Sequence, residues 1–140
     1  MRISTKTSIA LHLLVLLEVF KDQKLTSEIL AMSTGCNPVI VRNMIGGLKK
    51  AGLVNVQRGS GGASLAVAPD NITVWDVYQA VDLIPLNELI GMHPNPSIKC
   101  PVGSKIYDLL EKPYGVITDA VKSAMSGCTL KQILNDYYGG

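Results

Sequence analysis

The chain has 140 residues, 47% of them hydrophobic and 17% charged. That fits one domain, or one domain with an appendage, and excludes a disordered chain. Net charge is +2, but residues 1–70 hold eight Lys/Arg against four Asp/Glu, and residues 71–140 hold five against seven. A basic amino half suits a polyanion, and the mildly acidic half suits another task. Three cysteines, odd in number, exclude a disulfide framework, and one Phe, one Trp and five Tyr are too few for base-stacking platforms. No apolar run reaches the length of about 18 residues that marks a membrane span.

Arg2 and Lys6 ahead of the apolar run Ile9–Leu17 resemble the start of a signal peptide. His12 interrupts the run, Glu18 ends it, and no small-residue cleavage site follows before Lys21, so the segment reads as mature protein. Residues 4–20 form a predicted helix, with Ile9, Leu13, Leu16 and Phe20 on one face. Leu11 and Val15 make a second apolar face, as expected of a central helix or one covered by another element. Thr26 offers an N-cap for a short helix over 26–34, and Gly35-Cys36-Asn37 is a turn. Pro38 starts a third helix to about residue 51, with Val41, Met44, Ile45 and Leu48 inside and Val39, Arg42, Asn43, Gly46, Lys49 and Lys50 outside. Two short helices joined by a tight turn, the second basic and polar outside, make a helix-turn-helix with its recognition helix.

Leu53–Gln57 and Ser64–Val67 alternate with period two around Gly59-Ser60-Gly61-Gly62, predicting a β-hairpin. A hairpin directly behind a recognition helix is a wing. Thr73, with Asp76 three residues on and Ile72 opposite Val77, signals a helix over 74–82 whose inner face is Val74, Val77, Tyr78 and Val81. Pro85 to Pro101 reads as loop, with His93-Pro94-Asn95-Pro96 extended. An apolar stripe of Ile106, Leu109, Leu110, Ile117, Ala120, Val121 and Ala124 then predicts one long helix kinked near Pro113, or two stacked end to end. So far from the wing, this stripe reads as a dimerisation helix. Gly127 ends it, and Thr129 caps a short helix with Leu130, Ile133, Leu134 and Tyr137 on one face.

Candidate DNA contacts follow from helix-turn-helix docking. Asn37, Val39, Arg42 and Asn43 cluster at the end of the recognition helix that enters the major groove, where Arg bridges guanine and Asn bridges adenine. Lys49 and Lys50 suit phosphate, and Lys6, Thr26, Ser27, Arg58 and Ser60 are backbone candidates from flanking elements and the wing. Gly46-Gly47 within a helix implies close approach of the first helix or of DNA. Cys36, just ahead of the recognition helix, is either a small turn residue or a redox-sensitive thiol. His93 and Cys100 have poor metal-ligand spacing and no second pair. With no paired carboxylates, nucleophile elbow, phosphate loop or zinc-protease motif, the chain does not read as an enzyme.

Arg2-Ile3-Ser4-Thr5-Lys6, the exit Lys49-Lys50-Ala51-Gly52-Leu53-Val54, the wing over residues 59–65 and Ile72–Val81 together resemble the IscR/NsrR/CymR-type family, Rrf-two (Rrf2), of bacterial winged-helix transcription regulators. His93-Pro94-Asn95-Pro96 followed by Cys100-Pro101-Val102-Gly103 resembles its YwnA-like branch. The resemblance covers essentially the whole chain. It implies a homodimer on a palindromic operator, usually as repressor, with the helix near 104–126 crossing its partner and helix 4–20 helping to cover that partner. Cluster-binding members carry three close cysteines in the loop after the fourth helix, where this chain has only Cys100. The resemblance therefore implies no iron–sulfur cofactor here, and leaves room for sensing through thiols or partners.

The expectation is a mainly α fold with a small β-hairpin: a winged helix-turn-helix over 1–82, a loop over 83–103, and a dimerisation helix with a C-terminal helix over 104–140. Expected partners are double-stranded DNA and a second copy, in the cytoplasm, with no membrane, metal or cofactor. The inducing signal, small-molecule or redox, is unknown from sequence. Two rival readings stand beside it: a thiol redox regulator acting through Cys36 or Cys100, and a winged helix turned protein-interaction module.

Overall fold

A computed structural model describes residues 4–58 and 62–139. In chain order these form α1 (Lys6–Val19), α2 (Ser27–Thr34), α3 (Pro38–Lys50), β1 (Val54–Val56), β2 (Ala63–Leu65), α4 (Val74–Val81), α5 (Ile106–Ser126) and α6 (Leu130–Gly139). The architecture is the expected one: helices with a single small antiparallel sheet.

α1 is the hub, packed against α2, α3, α4, α6 and β2. Its buried residues are Thr7, Ala10, Leu13, Leu14 and Leu17. Only Leu13 of the predicted stripe is fully buried; Ile9 and Leu16 are half-buried and Phe20 is 39% exposed. A helix surrounded on several sides has apolar residues all round, so periodicity gives it no single inward direction. Leu11 and Val15 pack against this protomer's own core. A central position thus accounts for the second apolar face within the protomer.

α2 and α3 are set by their caps. Thr26 Oγ1 accepts the Ile29 N–H at 3.2 Å, and Gly35 ends α2 at φ 73°, a left-handed conformation that favours glycine. Asn37 Oδ1 accepts the Ile40 N–H at 3.0 Å, and Pro38 occupies the first turn of α3. Val41, Met44 and Leu48 are buried and Ile45 is half-buried. Gly47 lies against α4 rather than the expected α1: a Cβ there would stand 3.0 Å from the Ala80 carbonyl oxygen.

The hairpin pairs Val54 with Leu65, Asn55 with Ser64 and Val56 with Ala63. Gly62 brings it against the α1–α2 connection, where a Cβ would lie 3.3 Å from the Leu25 backbone. The wing tip, Ser60 included, lies outside the described residues.

α4 carries the predicted capping box: Thr73 Oγ1 accepts the Asp76 N–H, and Asp76 Oδ2 accepts the Thr73 N–H, both at 3.0 Å. Ile72 and Val77 are fully buried in the same core. The chain then leaves this unit through an irregular segment pinned by buried Leu86 and by the Tyr78 hydroxyl, which donates to the Ile84 carbonyl. Burial, and then the nearby Asp82 carboxylate, push the Tyr78 phenol above its ordinary range.

α5 runs as one 21-residue helix through Pro113, and none of its residues is fully buried. It rests on α4, with Lys122 Nζ 5.3 Å above the Trp75 ring. α6 packs back on the amino-terminal unit. Thr129 bridges Thr73, the Val74 N–H donates to the Cys128 carbonyl at 2.9 Å, and the Leu130 N–H donates to the Ile72 carbonyl at 2.8 Å. Leu130 and Leu134 fill the core beside α1.

Candidate nucleic-acid interface

α3 divides cleanly by exposure. Val39, Arg42, Asn43, Gly46, Lys49 and Lys50 all face solvent, opposite the buried Val41–Met44–Leu48 stripe. Polar and cationic groups on the free side of a helix held by its apolar side are the arrangement that readers of a DNA groove use. Ile40, 40% exposed, and Val39, 55% exposed, add an apolar edge near the amino end; the sequence reading did not include Ile40.

Two candidates carry structural work as well. Thr26 and Asn37 are exposed but act as N-caps, each accepting a backbone N–H through its side-chain oxygen. The Thr26 hydroxyl proton and the Asn37 amide NH₂ stay free to donate. Lys49 and Lys50 lie in the last turn of α3, where cations also suit the helix dipole.

Arg42 has a partner that sequence reasoning missed. Its Nη1 lies 3.9 Å from Glu28 Oε1 on α2, with both side chains more than half exposed. The sequence marks Glu28 as an acid in a first helical turn, but nothing local shows its reach across the turn to α3. An exposed pair of this kind is worth about 0–1 kcal/mol, so it orients Arg42 without locking it.

The remaining candidates lie on other elements. Ser27 is half-buried at the start of α2, and Arg58 is exposed just beyond β1. Lys6 opens α1 beside the end of α4, where Ser4 Oγ donates to Asp82 Oδ2 at 2.7 Å.

The cysteines lie in separate elements. Cys36 is half-buried, packs against the core and directs its Sγ toward the Thr34 carbonyl at 3.9 Å. The cap of α3 is taken by Asn37, so the thiol is not the group satisfying that helix end. Cys100 is exposed, and backbone N–H groups of Gly103 and then Val102 hold its thiol below the ordinary range. Gly103 permits that turn: a Cβ there would stand 2.5 Å from the Ser97 carbonyl oxygen. Cys128 is exposed just ahead of α6.

Over residues 3–136 the chain matches the Rrf2 family model, described as an iron-dependent transcriptional regulator. It is 38% identical over 136 residues to YwnA of Bacillus subtilis (strain 168), covering 97% of this chain and 99% of that one; that protein's name places it among HTH-type transcriptional regulators. A crystal structure described as that of a DNA binding protein superposes with a TM-score of 0.73 at 34% identity, covering 93% of this chain and 99% of the other. The structure of CymR (YrzC), the global cysteine regulator of B. subtilis, superposes with a TM-score of 0.68 at 23% identity over 96% and 97% of the two chains, a likeness of fold.

The family description names iron, and the donor set here does not fit it. Thiolate-held clusters take several cysteines at one place. Cys36, Cys100 and Cys128 sit in three different parts of the fold, and among the described residues no three His, Cys, Asp or Glu converge to hold a metal ion. What the comparisons share is the regulator. Matched by the family model over nearly all its length, and by a relative covered almost end to end, the chain belongs to the Rrf2 family of transcriptional regulators, which are not enzymes.

Proposed function

We propose that this regulator is a cytoplasmic homodimer that represses transcription by binding a palindromic operator. The observation that carries the reading is the division of α3, with its whole outer face free and its inner face locked into the core. Arg42 and Asn43 read base edges in the major groove, and Val39 offers an apolar contact to a thymine methyl. Asn37 fixes the first turn of α3 and donates its amide to DNA. Lys49, Lys50, Lys6, Thr26, Ser27, Arg58 and Ser60 contact phosphate and set the register. α5, a long helix with no fully buried residue, supports the dimer, because exposed Leu109, Val116 and Ile117 leave an apolar face to cover. Two copies related by a two-fold axis present two recognition helices, which is why the operator is palindromic.

The test is selection of bound fragments from genomic DNA, followed by anisotropy against salt and sedimentation of the free protein. A recovered palindrome, a steep salt slope and a dimer support the reading; absence of selective binding overturns it. Lys49→Ala is expected to weaken operator and unrelated DNA alike and to flatten the logarithmic salt slope by about 0.9 per DNA-bound protomer. An unchanged slope would remove Lys49 from the phosphate set.

The exposed Cys100, whose thiol the backbone N–H groups of Gly103 and Val102 hold below the ordinary range, favours a second reading, in which oxidation of this thiol alters operator affinity. Its position in the segment leading into α5 would carry the change to the dimer. Under mild oxidant, operator affinity is then expected to shift at least several-fold in wild type and to stay constant in Cys100→Ser. An operator complex indifferent to oxidant ends this reading and, with it, the Cys36 alternative.

A further inference from the structure

A cleft of about 530 Å³ opens between α5 and the irregular segment that leads into it. Asp108, Glu111 and Asp119 line its α5 wall, while Ile90, Met92, Tyr107 and Tyr114 give it apolar and aromatic surface. Among the described residues no Lys or Arg lines this cleft, and none of the three carboxylates forms an ion pair. Lys122, three residues past Asp119, is held instead over the Trp75 ring at 5.3 Å. Gly115 stands midway between Glu111 and Asp119, where glycine is among the poorest helix formers. A Cβ there would meet no atom within 4 Å, so the glycine leaves that stretch of the wall open. The exposed Leu109 and Val116 lie on the opposite side of α5, each two residues, or about 200° of helical turn, from a cleft residue, Glu111 or Thr118.

We propose that this cleft binds a linear aliphatic polyamine laid along α5, with ammonium groups on Asp108 and Glu111 at one end and on Asp119 at the other, and its methylene chain against the two tyrosines. Carboxylates of one sign lining a cleft, without protein cations to neutralise them, favour a cationic occupant. Their spacing selects its shape. Glu111 and Asp119 stand about 12 Å apart along the helix axis, and Asp108 about 4.5 Å beyond Glu111. A single metal ion cannot bridge that span, and among the described residues no three such groups converge to hold one. A polyamine carries its charges at intervals along an extended chain, which matches carboxylates strung along a helix. The tyrosine rings offer cation–π faces, and with Ile90 and Met92 they cover methylenes that a hydrated metal ion does not have. Both walls are in place before the ligand arrives. Leu86 is buried at one end of the loop wall, and the Tyr107 hydroxyl donates to the His93 carbonyl at the other, which lowers the ordering cost of binding. The site needs neither DNA nor a second copy of the chain.

The test is calorimetric titration of the full chain, free of DNA, with spermine, 1,3-diaminopropane and magnesium chloride at about 0.15 M salt, where diffuse attraction is screened. Spermine is expected to bind saturably, one per protomer. The diamine, too short to reach from Glu111 to Asp119, is expected to bind at least about tenfold more weakly, because it cannot engage both ends at once. Gly115→Leu removes no charge but fills the cleft, and is expected to weaken spermine at least about tenfold, with helicity by circular dichroism unchanged since leucine is the better helix former. Glu111→Gln and Asp119→Asn are each expected to weaken it about fivefold, roughly one charge-assisted contact. Asp22→Asn, on the exposed α1–α2 connection, is expected to leave it unchanged. Absence of saturable spermine binding overturns the site. Equal affinity for the diamine overturns the lengthwise pose, and an indifferent Gly115→Leu variant overturns the cleft. Equal losses in Asp22→Asn reduce the binding to net charge, and displacement of spermine by magnesium at equal concentration replaces the polyamine with a metal ion.

Discussion

Arg42→Ala is expected to lower affinity for the operator by about ten- to a hundredfold while lowering affinity for unrelated DNA only a few-fold. The larger figure corresponds to loss of a bidentate contact to guanine, worth about 1–3 kcal/mol of discrimination; the smaller one reflects removal of a single cation near phosphate. Arg42 does not start free, because Glu28 lies 3.9 Å away. That exposed pair contributes about 0–1 kcal/mol, less than the base contact, so the guanidinium leaves Glu28 on binding. Anisotropy with operator and scrambled duplexes at one salt concentration measures both losses. Equal losses would mean that Arg42 serves phosphate only, and that Asn43 and Val39 carry the reading.

Leu48→Ala is expected to cost about 2–5 kcal/mol of folding stability, a large share of the roughly 5–15 kcal/mol typical of a domain. Leu48 is fully buried in the cluster that joins α1, α3, α4 and α6, and truncation leaves a cavity in an interior that relaxes only partly. Urea unfolding at one fixed protein concentration reads the change, since self-association makes midpoints depend on concentration wherever it occurs. The outer face of α3 is untouched by this substitution. Folded protein should therefore bind DNA nearly as wild type does below the new midpoint. A loss under about 1 kcal/mol would mean that neighbouring side chains close the gap.

What the sequence discloses depends on how many neighbours an element has. α3 is legible because it is held on one side only: its inner stripe and outer polar face alternate as a half-buried helix must. α4 announces itself through the reciprocal Thr73–Asp76 bonds, which need only residues three apart. α1 is a different case, since Ala10, Leu14 and Leu17 face inward while Leu11 and Val15 are also covered. The stripe assigned to α5 mixes both of its sides, with Ile106, Leu110 and Val121 turned inward and Leu109, Ala120 and Ala124 outward. Gly47 against Ala80, Glu28 beside Arg42 and Thr129 beside Thr73 are contacts between segments far apart in sequence, and no local pattern encodes them.

The tie between Thr129 and Thr73 also bears on how such a protein can be assembled from parts. The chain leaves the amino-terminal unit after α4 and rejoins it at Cys128–Leu130, beside the start of α4, and α6 then supplies Leu130 and Leu134 to a core begun by α1. The core around α1 is therefore discontinuous in sequence, with α5 lying between its parts. Recombination near residue 83 would strip a wall from this core. An exchange that kept both the core and α5 intact would have to cut twice, on either side of the excursion that contains α5.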